Sequence, residues 1–121
     1  MDAKYNINLD VKYKHQELID IPKLISETKE RWTNQTLTEV NDSVVRLGII
    51  QGEFHWHKHD NDDEFFYVIE GKLLIDLQDK TLELSQNQGT TISKGILHRP
   101  RAPQRTVILM VETKNIKPTG D

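Results

Sequence analysis

The chain has 121 residues, with 16 Lys+Arg against 19 Asp+Glu and a formal charge of −3, which excludes a polyelectrolyte nucleic-acid binder. Apolar (36%) and charged (29%) fractions are those of one globular domain, and no apolar run approaches the roughly 18 residues a membrane span needs. Cysteine is absent, so disulfides, thiolate metal sites and cysteine nucleophiles are excluded together.

The opening MDAKYNINLD has neither the basic n-region nor the apolar h-region of a signal peptide, so a cytoplasmic protein is expected. Tyr5, Ile7, Leu9, Val11 and Tyr13 alternate with polar residues, which predicts a half-buried strand. A helix is predicted over 21–32, with Asp20 as N-cap, Pro22 in the first turn, and Ile21, Leu24, Ile25, Thr28 and Trp32 on one face. Strand and helix together make a segment, residues 1–33, that packs on the domain formed by residues 34–121.

From Asn34 onward the pattern is all-β. Asn41-Asp42 reads as a tight hairpin turn between TLTEV and VVRLGII. Gly52 separates that strand from EFHWHKH, and FFYVIE, KLLIDL, TLEL, TTIS and RTVILMVE follow at short intervals, with KNIKPTGD as a tail. Short strands at this spacing predict a β-sandwich or small barrel. Its lining is expected from Val68, Leu73, Ile75 and Leu77, with Val107, Leu109 and Val111.

Five histidines carry the chemistry. On a strand, residues two apart share a face, so His57 and His59 project together while Phe54, Trp56 and Lys58 point away from them. Glu64 opens the next strand, and His98 follows Gly95 far along the chain. Three imidazoles and a carboxylate suit one divalent transition metal such as Fe, Mn, Ni, Co or Zn, and are too nitrogen-rich for Mg or Ca. His55, on the same face, reads as a supporting group, and His15 as solvated. Asp60, Asp62 and Asp63 suggest a calcium loop, but Phe65 and Gly71 stand where an EF-hand needs glycine and glutamate. An acidic, hydrated turn is expected instead. Lys94, Arg99, Arg101 and Arg105 surround His98 either as an anion-binding rim or as solvated charges.

GEFHWHKHDNDDEFFYVIEG resembles the first motif of the cupin family: Gly52, His57-x-His59, four residues, Glu64, six residues, Gly71. SKGILH resembles the second, with Gly95 and His98 in place, although Ser93, Asn87 and Ala102 depart from the usual proline, glycine and asparagine. The likeness runs from about residue 35 to 121 and is strongest to small members described as mannose-6-phosphate-isomerase-like. It implies a double-stranded β-helix, or jelly-roll, barrel of two antiparallel sheets with the metal inside, held by His57, His59, Glu64 and His98.

The resemblance leaves function open, because fold does not fix chemistry. One expectation is a metal-dependent isomerase or dioxygenase acting on a small sugar, sugar phosphate or enol, with Glu53, His55 and Tyr67 as the bases within reach. Another is a non-catalytic small-molecule or metal-binding module, and a third is a barrel with vestigial ligands. A homodimer is expected, built by the Tyr5–Tyr13 strand adding to a sheet edge, with Phe54 and Trp56 supplying apolar contact.

Overall fold

The computed structural model describes residues 5–121, so the first four residues, part of the N-terminus read above for a signal peptide, lie outside it. The described chain runs through β1 (Asn6–Asn8), α1 (Ile21–Glu27), β2 (Trp32–Val40), β3 (Ser43–Glu53), β4 (Glu64–Glu70), β5 (Leu73–Asp76), β6 (Thr81–Leu84), β7 (Gly89–Ile92) and β8 (Arg99–Thr113). The strands follow the order β1-β2-β3-β8-β4-β7, and β5 pairs with both β6 and β8. This is the all-β jelly roll that the strand spacing and the family likeness predict. No helix of the described residues is long and apolar enough to cross a membrane.

β8 holds the barrel together. One edge pairs with β3 from Glu53↔Arg101 to Ser43↔Thr113. The other edge meets β5 at Arg99–Arg101 and then β4 at Val107–Val111. The predicted hairpin forms between β2 and β3: Val40 pairs with Ser43, and Asn41 takes the left-handed conformation (φ 54) that asparagine tolerates.

Register decides which side chains face inward. Trp32, Asn34 and Thr36 of β2 lie opposite Ile50, Gly48 and Arg46 of β3. Gly48 and Arg46 lie opposite Ile108 and Met110 of β8, which in turn pair with Val68 and Phe66 of β4. This is the barrel interior. Gly48 is required where it stands, because a Cβ there would lie 2.8 Å from Ile108 Cγ1. The opposite phase faces α1: Leu37, Leu47, Ile49 and Val107 form a second core under Ile21, Leu24 and Ile25.

The expected lining is therefore half right. Val68, Leu73 and Ile75 are fully buried in the inner core and Leu77 flanks it. On β8 the phase is reversed. Val107 and Leu109 pack on the helix side, Val111 is 37% exposed, and Ile108, Met110 and Glu112 point inward. The run VILMV is apolar throughout and carries no alternation, so only pairing with β3 sets its phase.

The helix is also shorter than predicted. Asp20 caps it through Lys23 N–H as expected, and Pro22 sits in the first turn, but α1 ends at Glu27 and Thr28 is already extended (φ −95). Trp32 is not on the helix; it opens β2 and closes the barrel end with Tyr5 and Phe54, at ring-centroid distances of 5.3 and 5.5 Å. An aromatic cluster of this kind outweighs a weak helical periodicity. The N-terminal strand is likewise brief: Asn6–Asn8 pair in parallel with Thr33–Gln35, and beyond them Leu9 and Val11 are 50% and 41% exposed.

Candidate metal centre

After Glu53 the chain leaves regular structure, and residues 54–63 cross the barrel end as a loop rather than the predicted strand. It is anchored to the second motif: His57 and His98 exchange both main-chain hydrogen bonds at 2.9 Å, and Phe54 N–H donates to Pro100 O at 3.0 Å. Gly95 N–H donates to His59 O at 2.8 Å and Lys94 N–H to Asp63 Oδ1 at 2.9 Å. Asp62 accepts from the Thr113 hydroxyl at 3.0 Å, and Lys58 pairs with Asp60. Of the acidic turn, Asp63 pins the first motif to the second and Asp62 pins it to the end of β8.

His57, His59, Glu64 and His98 are all buried, and one ligand atom from each lies within 4.8 Å of the others. Their carboxylate–imidazole distances are short: Glu64 Oε1 stands 3.3 Å from His98 Nε2 and 3.5 Å from His59 Nε2. Each imidazole is turned by its other nitrogen. His57 Nδ1 donates to the His55 carbonyl at 3.0 Å, His98 Nδ1 to the Ile96 carbonyl at 2.9 Å, and His59 Nδ1 to Asp121 Oδ1 at 2.7 Å. Carbonyls and a carboxylate can only accept, so the Nδ1 atoms carry hydrogens. The three Nε2 atoms are left to face Glu64, with His98 Nε2 hydrogen-bonded to Oε1 at 3.3 Å, and to offer lone pairs to a metal that takes the place of any proton held there. This is the outer support that metal-binding histidines take. His59 Nε2 is buried with no complete hydrogen bond, which suits a ligand atom. The donor set fits a divalent transition metal.

Electrostatics agree with that geometry. Burial, with His98 beside it, pushes His57 down to about 4, so its ring is neutral and available near neutral pH. Burial would also lower His59, but hydrogen bonds to Glu64 and Asp121 outweigh it and hold the group above its ordinary value. Burial would raise Glu64, yet His59 and His98 hold it well below the usual carboxylate range.

Several expected groups stand elsewhere. His55 points to solvent and its Nε2 bonds the Thr119 carbonyl at 2.8 Å, so it supports His57 through its main chain and not its ring. His15 is exposed, as expected, and its Nε2 meets the Glu39 carbonyl at 3.0 Å. The Glu53 side chain is 61% exposed near Arg99, and the Tyr67 hydroxyl donates to Asn87, so neither serves the centre as a base. Phe54 does not point away: it is buried, with its ring edge-on to His57 at 5.2 Å. Trp56 does point out, beneath the Arg99 guanidinium. Three of the four basic residues are engaged elsewhere: Arg99 and Arg101 both grip Asp76, and Arg105 donates to the Thr28 carbonyl of the helix cap.

The structure adds groups that the sequence reading lacks. The tail folds back so that Asp121 orients His59, and Gly120 (φ 116) packs where a Cβ would lie 3.1 Å from His57 Cβ. Inside the barrel, Arg46 Nε and Glu112 Oε1 are buried against each other at 3.3 Å. Burial and the neighbouring Glu64 charge push the Glu112 carboxyl well above its ordinary value, toward the neutral acid. A small, partly open cavity lies between His57, Glu64 and the inward wall of Asn34, Phe66, Ile108 and Met110. Inward phase on β2, β3 and β8 is the signal that would have found Asn34, Arg46 and Glu112; nothing in the sequence marks Asp121.

A family model described as a cupin domain matches residues 44–112. The uncharacterized protein YdbB of Bacillus subtilis (strain 168) is 47% identical over 102 residues, which cover 84% of this chain and 88% of that one. A solved cupin-2 domain containing protein from Shewanella frigidimarina NCIMB 400 is similar with a TM-score of 0.75 and 32% identity, over 79% of this chain and 94% of that one. Protein NMB1881 from Neisseria meningitidis shares the fold, with a TM-score of 0.72 at 21% identity over 80% of this chain and 99% of that one.

Proposed function

The chain belongs to the cupin domain family, and from that premise we propose that it holds one divalent transition metal on His57, His59, Glu64 and His98 and acts there on a small oxygen-chelating molecule of sugar or enol type. The observation that carries this reading is the convergence of three Nε2 atoms on the Glu64 carboxylate, each ring fixed by an Nδ1–H donated outward. A metal bound there supplies Lewis acidity toward substrate oxygens. The chain's own residues bind, orient and exclude water. His57 and Glu64 face the cavity, Phe54 and Phe66 wall it, and Asn34 presents an unpartnered amide oxygen to a donor on the ligand. An unphosphorylated ligand suits the site better than a sugar phosphate, because the nearby arginines are engaged with Asp76 and the helix cap.

Isomerase-like chemistry is the enzymatic form of this reading, in keeping with the likeness to mannose-6-phosphate-isomerase-like cupins. A second reading, a binding module without turnover, is favoured by the cavity wall: among the described residues His57 and Glu64 are its only imidazole and carboxylate, and both serve as ligands. The full reading includes a homodimer in the cytoplasm. Elemental analysis and native mass spectrometry of protein purified without added metal or chelator test it. One equivalent of a first-row divalent metal is expected, and a metal-free chain that takes up none on titration overturns the reading. A co-purified small molecule that the protein then converts supports the enzyme, and one returned unchanged supports the module.

A further inference from the structure

After β8 the chain turns back, and residues 117–121 lie against the loop that carries His57 and His59. Ile116, 2% exposed, fixes the base of this segment, and its N–H donates to Thr113 O at 3.2 Å. Beyond it Lys117-Pro118-Thr119-Gly120 closes a tight turn, in which Gly120 N–H donates to Lys117 O at 2.9 Å. Proline in second place and glycine in fourth suit such a turn, so the segment holds its own shape. Three hydrogen bonds latch it, and all three land on residues 55–59. His55 Nε2–H donates to Thr119 O at 2.8 Å, Asp121 N–H to Lys58 O at 3.0 Å, and His59 Nδ1–H to Asp121 Oδ1 at 2.7 Å. Pro118 walls the cavity beside His57 and Glu64, and among the described residues it is the one wall residue from outside the strands and the ligand loop. No residue from Lys117 to Asp121 is fully buried. A segment that buries little apolar surface opens locally without unfolding the rest.

We propose that residues 117–121 are a strap that swings about Ile116 to admit metal and ligand to the cavity, and closes over His57 and Glu64 behind them. The inference rests on the metal-binding reading above. Opening withdraws Pro118 from the cavity wall while Ile116 and β8 stay in place, so the barrel remains whole. The bond from His55 to Thr119 involves no ligand side chain, so it holds the strap alike in the empty and the loaded protein. Losing it weakens the closed strap alone: metal enters and leaves faster by the same factor, and affinity is unchanged. A segment that merely stiffened the ligands would change affinity through release, with uptake unaltered.

The test is stopped-flow uptake of Co²⁺ by the full chain, and its release into excess EDTA. H55F keeps an aromatic ring against Phe54, 4.2 Å from the His55 ring, and loses the bond to Thr119. It is expected to raise both rates about fivefold while their ratio stays within about twofold of the parent. If H55F does not fold, G120A takes its place: a Cβ at φ 116, 3.1 Å from His57 Cβ, opposes the closed strap, and both rates should rise again. A change in one rate without the other, or no change in either, overturns the strap. A second measurement needs no metal. In amide exchange of the metal-free chain followed by NMR, Asp121 N–H should be protected about tenfold less than Gly95 N–H, which bonds His59 O outside the strap. Equal protection of the two overturns the strap. Failure of the parent to bind Co²⁺ sinks the metal reading instead, and the exchange comparison then decides the strap by itself.

Discussion

His57 and His98 are joined twice, by reciprocal main-chain hydrogen bonds of 2.9 Å and by rings whose centroids lie 4.4 Å apart. The bridge ties the irregular loop after β3 to the start of β8, so two ligands distant in sequence are set by one pair of backbone bonds. It does not depend on the imidazoles.

Removing the imidazoles should therefore separate metal retention from folding. The H57A/H59A variant is expected to lose bound metal while its far-ultraviolet circular dichroism stays that of a β protein. Metal retained at the parental level would show that the ligands are misassigned.

Asp121 accepts from His59 Nδ1 and keeps that imidazole basic. A raised histidine stabilises the metal-free chain below its ordinary value of 6.5, and that contribution fades as pH rises through the folded value. The metal at Nε2 must displace the proton that the raised value retains there, while Nδ1–H stays on Asp121. D121N is expected to weaken Mn²⁺ binding about tenfold and to release fewer protons on binding at pH 6.5. Calorimetry in two buffers of different ionisation enthalpy measures the release; equal release by parent and variant would remove Asp121 from the centre.

Asp76 accepts from both Arg99 and Arg101, chiefly Arg101, which holds its carboxyl well below the ordinary value of 3.8. A depressed carboxyl stabilises above the unfolded value, and the contribution is lost as pH falls through the lower, folded one. D76N should cost about 2 kcal/mol near neutrality, because two guanidinium groups lose a charged acceptor. It should also flatten the decline in stability below pH 3.8. Urea denaturation at neutral and acid pH reads both effects, and a parallel decline in the two proteins would contradict the assignment.

Beyond its three paired residues, the N-terminal strand leaves Leu9 and Val11 open to solvent, an apolar edge that a second copy would cover. Light scattering is expected to give a dimer for the full chain and a monomer for a chain starting at Gln16. A monomeric full chain at micromolar concentration refutes the dimer, and a dimeric truncation clears the strand of responsibility.

Local chemistry explains what was readable in advance. Asp20 caps α1 because a side-chain oxygen before an apolar run satisfies a free N–H, and Asn41-Asp42 turns because asparagine tolerates a left-handed φ. The candidate site was legible because a pair of imidazoles two residues apart, a nearby glutamate and a histidine after Gly95 make a donor set suited to one transition metal. The strand invoked to place His57 and His59 is a loop, yet both rings are buried together.

Residue type and spacing were enough for the jelly roll and for grouping His57, His59, Glu64 and His98. Tertiary structure alone decided the rest: the inward phase of β8, the Arg46–Glu112 pair, and the return of Asp121 to His59. Side chains alternate along a strand, so a shift of one residue exchanges core for surface, and in an unbroken apolar run only cross-strand hydrogen bonds choose between the two. A contact between a tail and a loop leaves no periodic trace at all. It exists because the closed barrel brings Lys58 O within 3.0 Å of Asp121 N–H, and the neighbouring imidazole finds its acceptor there.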